Sequence, residues 1–418
     1  MQQAATYTNA AVWELAQTYG DLSVFGFGPI RFHWLVGPEA LRFVLLEQPE
    51  SFTLGGAYGF LRTIGGDTAL ITSDEPEHLS RRRLVQPAFH GKRVQGWTSH
   101  LQTRNAAFLA SLARGETLDF YAAVRPHVLE SITEILLGAE TLTRHPKLLN
   151  NVAAMMDFAN SPFLAQQFKI PVPGLPWSHF LRARASADRS LYQEITRRKS
   201  AGETSDDVLG MLLETRDETG DALSDTELRD QAVSLVSAGF DTTSAALSWA
   251  VYLLLEHREV LNDLREELAG FATLQECLRS PLLERVVKET LRIYPAAPAG
   301  LRQVREDVVY KNILIPAGSL VAYSIYVTQR QEASFADALL FKPERWRGGF
   351  TPEPFTYLPF GYGARYCIGA SLATLIIKLL LVELVTGYGL EAAWRSPVAE
   401  TGNTVQPKGG LKLRLTPR

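Results

Sequence analysis

The pattern of hydrophobic and polar positions divides the chain into long helical stretches and short strand-like ones. Helical patterning dominates from about residue 78 to 295 and returns at about 367–388. Short apolar runs broken by Gly and Pro occupy about 20–75 and 300–330, which is typical of strands and turns. With no internal repeat between them, these stretches predict a single domain over residues 1–418, mainly α with small β-sheets.

One predicted helix is unusually long and has an unusual middle. A capping box formed by Ser224 and Glu227 opens it, and the helical pattern continues to about His257. Its middle, Ala238–Ser244, contains Gly, Asp, Thr and Ser, each of which weakens a helix interior. Two interpretations are open: a tolerated weak spot with Gly239 kept for close helix packing, or a distortion that opens the helix toward a ligand.

Composition and charge narrow the class of protein. The chain has 418 residues, of which 46% are hydrophobic and 21% charged, so it can bury a sizeable core. The formal net charge is −3, which gives no general basic field for nucleic acid. We therefore expect a globular protein without a nucleic-acid partner.

Cysteine content and hydropathy predict a cytoplasmic location. The two cysteines, Cys277 and Cys367, are too few for a disulfide framework or a four-cysteine metal site, and suit a reducing compartment. Residues 1–20 lack the pattern of a signal peptide, and two charged residues interrupt the longest apolar stretch, Leu375–Val385. We expect a soluble protein with no membrane anchor.

The most informative local feature is the loop Phe360–Gly369, which precedes an apolar helix. Cys367 lies at that helix N-terminus, two residues after Arg365, a setting that favours a thiolate. Its three glycines argue against simple burial of the cysteine, because they allow close backbone approach. A dinucleotide-binding loop is set aside, since Tyr366 replaces the third glycine of that fingerprint and no repeated strand–helix units surround it.

A thiolate can act as a nucleophile or hold a metal. None of the eight histidines shows a signature that makes it a base for Cys367, although sequence does not reveal distance in space. The chain has no C-x-x-C or H-E-x-x-H motif for zinc. A single axial thiolate on a metal whose other ligands come from outside the protein fits best, and haem has that arrangement.

Five motifs make the chain resemble the cytochrome P-450 monooxygenases, from about residue 20 to the C-terminus. They are Phe360–Gly369 (F-x-x-G-x-R-x-C-x-G), Glu289–Arg292 (E-x-x-R), Pro343–Trp346 (P-E-R-F/W), Ala238–Thr243 (A-G-x-D-T-T) and the pair His78 and Arg82 (H-x-x-x-R). The resemblance implies a haem-thiolate enzyme that carries haem b and has Cys367 as the iron ligand.

The same resemblance assigns roles around the haem. The residues expected to bind it are His78, Arg82, Ala238, Arg302, Phe360, Gly361, Arg365, Cys367 and Gly369. Of these, His78, Arg82, Arg302 and Arg365 would hydrogen-bond the two propionates. Glu289, Arg292 and Arg345 would form a buried charge network that holds the cysteine loop in shape, the alternative being a surface ion pair.

The reaction implied is insertion of one oxygen atom from O2 into a substrate, with Asp241 and Thr242 as the acid–alcohol pair that handles protons. Thr243 could share or replace the role of Thr242. Because the chain ends about 50 residues after Cys367, we expect electrons from NAD(P)H to arrive through a separate ferredoxin and its reductase. Two alternatives are a hydrogen-peroxide-driven peroxygenase and a non-catalytic haem or ligand sensor.

Residues that line the pocket in the family can be located here, and they are largely apolar. They lie in Phe52–Ala69, Met155–Phe180, the helix face of Leu235, Ala238 and Thr242, Ala296–Leu301 and Thr404–Val405; the second segment includes Met155, Met156, Phe158, Phe163, Leu164 and Phe168. We expect a hydrophobic substrate such as a fatty acid, terpenoid, carotenoid or sterol. A basic patch of Arg81, Arg83, Lys92 and Arg93 is either a docking surface for an acidic electron donor or a solvated face.

Overall fold

The computed structural model describes residues 9–27, 30–113, 115–161, 169–203, 205–216, 220–394, 399–401 and 404–418. The fold is mainly helical with small sheets, as the sequence predicts. The helices are α1 Asn9–Tyr19, α2 Pro38–Arg42, α3 Gly59–Gly65, α4 Glu77–Val85, α5 Gly91–Gly96, α6 Thr98–Leu112, α7 Phe120–Leu137, α8 Ala139–Arg144, α9 Leu148–Ala159, α10 Pro176–Ala201, α11 Val208–Glu214, α12 Asp225–Glu256, α13 Arg258–Ala269, α14 Leu274–Leu278, α15 Pro281–Ile293, α16 Ile325–Thr328 and α17 Ala370–Gly387.

Twelve short strands in the described residues form four small sheets. The strands are β1 Leu22–Phe27, β2 Ile30–Val36, β3 Phe52–Thr53, β4 Thr117–Asp119, β5 Ala299–Val304, β6 Val308–Tyr310, β7 Ile313–Ile315, β8 Leu320–Ser324, β9 Tyr388–Ala392, β10 Ala399–Thr401, β11 Gln406–Lys408 and β12 Lys412–Pro417. The largest sheet has the order β1-β2-β8-β5-β3, in which only the β2–β8 pair is parallel. The predicted strand-rich region at about 20–75 therefore holds β1, β2 and β3, but also α2 and α3.

Helix α12 forms the centre of the helical body. Its predicted capping box is present: the Ser224 side chain accepts a hydrogen bond from the Glu227 amide, and the Glu227 carboxylate accepts one from the Ser224 amide. The helix runs 32 residues, about 48 Å, and packs most extensively against α7. At Gly239 a Cβ atom would lie 3.1 Å from Ile132 Cδ1 of α7, so glycine permits this close packing.

Helix α17 follows the cysteine loop and is strongly apolar. Among the described residues it alone has the length and composition that a bilayer-spanning helix needs, yet 56% of the relevant stretch is buried inside the fold. It packs against α6, α12 and α13. Its apolar character is therefore that of a core helix, which positions the loop immediately before it.

Candidate active site

The loop that carries Cys367 is fixed by its own backbone. The Cys367 amide donates to the Phe360 carbonyl at 2.8 Å, which closes the loop on itself. Gly361 and Gly363 have φ values of +76° and +63°, a region in which side chains with a Cβ are strained. Gly369 is the residue before α17. These glycines therefore serve the shape of the loop.

The Cys367 side chain is accessible to solvent although protein surrounds the sulfur closely enough to affect its ionisation. Burial raises the pKa of the Cys367 thiol, while a hydrogen bond from the Gly369 amide and the charge of Arg82 oppose that rise. The sequence spacing indicates Arg365 as the charge that acts on the Cys367 thiol, but in the structure that charge is Arg82. Without a metal the thiol is favoured, and a coordinated metal would bind it as the thiolate.

The four groups expected to bind propionates form one electrostatic cluster. Burial and the charges of Arg365 and Arg82 lower the pKa of His78, which is only 2% exposed. Burial together with Arg302 and Arg82 lowers the pKa of Arg365 to about 10. Like charges gathered in this way repel one another, so a bound dianion would be electrostatically favourable at this cluster.

Glu75, which the sequence did not predict as a site residue, partly compensates the positive charge of this cluster. Its Oε1 lies 2.7 Å from His78 Nδ1 and 3.3 Å from Arg365 Nη2. Arg365 Nη1 also donates to the Ser73 carbonyl at 2.8 Å. The segment before α4 is thereby tied to the cysteine loop. The only signal in the sequence is that Glu75 precedes His78 by three residues.

A narrow strip of α12 is accessible within an otherwise buried helix. Between Gln231 and Leu255 the residues that are not buried are Leu235, Ala238, Gly239 and Thr242. The Thr242 hydroxyl donates to the Ala238 carbonyl at 2.7 Å, while Thr243 is only 2% exposed. The helix continues unbroken through this region. The strip thus presents small side chains and the Thr242 hydroxyl, and Thr243 faces the core.

Both carboxylate oxygens of Asp241 are occupied. Arg125 Nε of α7 lies 2.6 Å from Oδ1, and Asn160 Nδ2, just after α9, lies 2.6 Å from Oδ2. Arg125 Nη1 also pairs with Asp157 at 2.8 Å. Burial opposes the charge of Arg125, but Asp241 more than compensates and raises the Arg125 pKa. The predicted acid therefore lies buried in an ion pair that links three helices.

Glu289, Arg292 and Arg345 meet in one buried network. Arg292 Nε and Nη2 donate to the two Glu289 oxygens at 2.9 Å each, and Arg345 Nε donates to Oε1 at 2.9 Å. Trp346 Nε1 supplies a further bond to Oε2 at 2.9 Å. Arg292 also donates to the Gln329 carbonyl, and the Gln329 side chain accepts from the Leu358 amide at 2.8 Å. Through Gln329 the network supports the chain just before the cysteine loop.

The segments expected to line the pocket divide into core and wall. Met155 is fully buried in the core, and Phe158 packs on Trp177 and Phe180. The Tyr58 hydroxyl accepts from the Leu301 amide at 2.9 Å, which joins two of the expected segments. The expected pocket residues Phe163, Leu164 and Phe168 lie outside the described residues.

The predicted basic patch is smaller than expected. Arg83, Lys92 and Arg93 are exposed. Arg81 is half-buried: it donates to Ser73 Oγ at 3.0 Å and pairs with Glu227 at 3.4 Å, so it contributes less to the patch than the other three. Glu227, the partner of Arg81, lies 146 residues away along the chain, so no local sequence pattern predicts the contact.

Comparison with known proteins identifies the family. The cytochrome P450 family model matches residues 2–413. Cytochrome P450 139 of Mycobacterium tuberculosis is 31% identical over 386 residues, covering 90% of this chain and 89% of that protein. Cytochrome P450 135B1 of Mycobacterium bovis is also 31% identical, covering 87% and 77%. The chain belongs to the cytochrome P450 family.

Solved structures show the same fold. A retinoic acid-bound cyanobacterial P450, CYP120A1, superposes with a TM-score of 0.89 at 24% identity, covering 99% of this chain and 95% of that one. The haem domain of cytochrome P450DA gives a TM-score of 0.87 at 24% identity, covering 98% and 93%. Members of the family are generally haem monooxygenases, and this chain is accordingly an oxidoreductase of that type with haem as its cofactor.

The residues present fit haem. An accessible thiol on a glycine-shaped loop would supply a protein ligand to the iron, and the cluster around His78 and Arg365 would bind the two carboxylates. No group of three or more His, Cys, Asp or Glu side chains in the described part of the chain could hold a metal ion by itself.

Proposed function

We propose that this enzyme hydroxylates a hydrophobic small molecule with one atom of O2. The observation that carries the proposal is the accessible strip of α12, where the Thr242 hydroxyl lies beside Ala238 and Gly239 and follows directly after the buried Asp241. When bound, the haem supplies oxygen activation at iron, supported by electron donation from the Cys367 thiolate. The protein's part is to bind, to exclude water and to deliver protons.

The proposed haem site uses the cysteine loop and the cationic cluster. Cys367 would ligate iron, framed by Phe360, Gly361 and Gly369, and Ala238 would contact the haem. His78, Arg82, Arg302 and Arg365 would donate to the propionates, a role supported by the like charges that lower the pKa values of His78 and Arg365. Glu289, Arg292 and Arg345 would act at a distance by holding the loop that carries Cys367.

Proton delivery would involve Thr242 and Asp241. Thr242 is better placed than Thr243, because its hydroxyl lies on the accessible strip while Thr243 is buried. Asp241 has no surface of its own and is held by Arg125 and Asn160. A proton that passes through Asp241 would therefore require one of these two hydrogen bonds to lengthen.

The substrate class is inferred from the accessible strip and its surroundings. Leu235, Ala238 and Gly239 offer no charge to a substrate, and the Tyr58 hydroxyl is already engaged by the Leu301 amide. We infer a fatty acid, terpenoid, carotenoid or sterol. Screening such compounds for the shift from low-spin to high-spin iron that follows displacement of an axial water would identify binders.

Electrons would come from NAD(P)H through a ferredoxin reductase and a ferredoxin. Arg83, Lys92 and Arg93 are exposed and could contact an acidic electron donor, whereas the half-buried Arg81 would add little to this surface. Raising the salt concentration should then slow reduction, since screening weakens such encounters. Two free thiols suit a reducing compartment, so we place the enzyme in the cytoplasm, as one domain over residues 1–418.

The decisive experiment is the absorption spectrum of the reduced protein under carbon monoxide. A strongly red-shifted Soret band requires thiolate ligation, and Cys367→Ser should lose it while Cys277→Ser, a buried cysteine far from the loop in sequence, keeps it. Absence of haem in the wild type would refute the proposal. Product formation with peroxide alone, and none with ferredoxin and NAD(P)H, would favour a peroxygenase.

A further inference from the structure

Four aromatic rings form a continuous row that passes through the core and has a partly exposed ring, Tyr294 or Trp394, at each end. The rings of Tyr294 and Trp249 stack at 3.8 Å between centroids with only 7° between their planes. Trp249 meets Tyr252 edge-on at 5.4 Å, and Tyr252 meets Trp394 at 5.5 Å. Trp249 is fully buried and Tyr252 is 8% exposed, whereas Trp394 is partly exposed. Each ring thus touches the next.

Trp249, the most deeply buried ring of the row, is linked to two segments expected to line the pocket. Trp249 lies on α12 seven residues after Thr242, which is two helical turns and about 10 Å along the axis. Its Nε1 donates to the Val405 carbonyl at 2.8 Å, and the Val405 amide donates to the Ala296 carbonyl at 3.1 Å. Val405 and Ala296 both belong to segments assigned to the pocket wall.

The outer end of the row has a proton acceptor. Trp394 Nε1 donates to Glu256 Oε1 at 2.8 Å. Glu256 follows Tyr252 by one helical turn, and burial together with the Glu256 charge raises the pKa of Tyr252. The Glu256 carboxylate therefore accepts the Trp394 Nε1 proton in a hydrogen bond and acts on Tyr252 through its charge.

Tyrosine and tryptophan are the side chains that most readily give up one electron. An oxidised tryptophan becomes acidic at Nε1, and an oxidised tyrosine loses its phenolic proton. A neighbouring carboxylate that accepts this proton therefore stabilises the oxidised form of the ring beside it. Packing accounts for stacked rings in a core, and a partly buried indole commonly bonds its Nε1 to an acceptor. The feature that suggests a further role is the continuity of the row from the buried Trp249 to the surface at Trp394.

We propose that Tyr294, Trp249, Tyr252 and Trp394 form an electron path that protects the enzyme when an oxidised haem centre meets no substrate. One electron moves inward along the row to that centre, and the hole moves outward to Trp394, whose Nε1 proton passes to Glu256. A thiol or ascorbate in solution returns the electron, and Glu256 returns the proton. Repeating the cycle once delivers two electrons, and two protons taken up from solvent at the receiving end, equal in number to those that the reductant releases, complete the reduction to water of the oxygen that one peroxide introduces. The inference rests on the proposed haem function.

The test uses the ferric holoenzyme mixed with hydrogen peroxide without substrate and frozen for electron paramagnetic resonance. The wild type should show a tyrosyl or tryptophanyl radical, and peptide mass spectrometry without ascorbate should find added oxygen at Tyr252 or Trp394. Tyr252→Phe keeps the ring but cannot form a phenoxyl radical. It should lose oxidation at Trp394 and bleach its haem several-fold faster, while ascorbate should protect the wild type.

Tyr192→Phe is the matched control, because Tyr192 is 37% exposed on α10 and lies outside the row. Equal radical yield, equal oxidation of Trp394 and equal bleaching in Tyr252→Phe and Tyr192→Phe would overturn the path and leave the row as packing. Trp249→Phe interrupts the inner contact and must give the same loss. A wild type without the red-shifted carbon monoxide band would instead refute the haem proposal before this test begins.

Discussion

Arg125 Nε lies 2.6 Å from Oδ1 of Asp241, so the acid proposed for proton delivery lies in a closed ion pair. Asp241→Asn should keep haem binding but lower the rate of product formation by about 100-fold, since positioned proton transfer contributes at least that much. The rate of substrate-dependent oxygen consumption and the carbon monoxide spectrum measure the two effects separately.

Asp157→Asn is the control for that substitution. Asp157 pairs with the same arginine at 2.8 Å, but its side chain is 61% exposed, so its loss should change the rate by only a few-fold. Equal losses in the two variants would show that Arg125, and not the Asp241 carboxylate, is the group that matters.

Thr242 and Thr243 are adjacent, yet their surroundings differ. Thr242→Val removes a hydroxyl from the accessible strip of α12, so a larger share of the NAD(P)H consumed should end as peroxide instead of product. Thr243→Val changes a side chain that is only 2% exposed and should leave the ratio of product to NAD(P)H near that of the wild type. The reverse order would assign the proton-handling hydroxyl to Thr243.

These residues also show what sequence patterns can determine. The capping box of α12 and the i, i+3 pair Glu289 and Arg292 are local, because their partners lie within one helical turn. The mainly α fold with small sheets follows from the same local patterns. The sequence also placed Thr242 and Thr243 in the right helix, but only the packing of α12 decides which of the two is accessible.

The contacts that the sequence did not reveal are distant ones. Arg125 and Asn160 are 116 and 81 residues from Asp241, so no spacing rule connects them. A hint for Arg125 exists, since it is a charge in the first half of the largely apolar α7. The partner of Arg81 was hidden for the same reason, because Glu227 comes near it only when α4 packs close to the start of α12.

The Glu289–Arg292 pair should be essential for stability. Both side chains are fully buried, so Arg292→Met leaves Glu289 with part of its charge uncompensated and should cost about 3–5 kcal/mol of unfolding free energy. Urea unfolding and haem content measure the loss. Arg42→Ala breaks an ion pair whose side chains are 58% and 49% exposed and should cost less than about 1 kcal/mol. Similar costs would mean that solvent screens the buried pair as well.

Two groups that flank Asn105 of α6 should give the stability an unusual pH dependence. His127 Nε2 of α7 lies 2.8 Å from Asn105 Oδ1, and burial together with the charge of Arg104 lowers the pKa of His127 to about 4. Burial raises the pKa of Glu383 on α17 to about 7, with the Asn105 side chain opposing the shift. His127 therefore destabilises the fold as pH falls from 6.5 toward 4, because only the unfolded chain then gains the proton.

Glu383 acts in the opposite direction. Between pH 4.5 and about 7 the unfolded chain has lost the Glu383 proton while the folded protein keeps it, so stability falls as pH rises. Glu383→Gln removes this linkage and should match the wild type near pH 4.5 but exceed it by about 2 kcal/mol at pH 8. Unfolding free energies from denaturant titrations at both pH values measure the difference. The control is Glu391→Gln, at a side chain that is 70% exposed, whose unfolding free energy should differ from that of the wild type by the same amount at both pH values. The same constant difference for Glu383→Gln would show that Glu383 ionises normally in the fold.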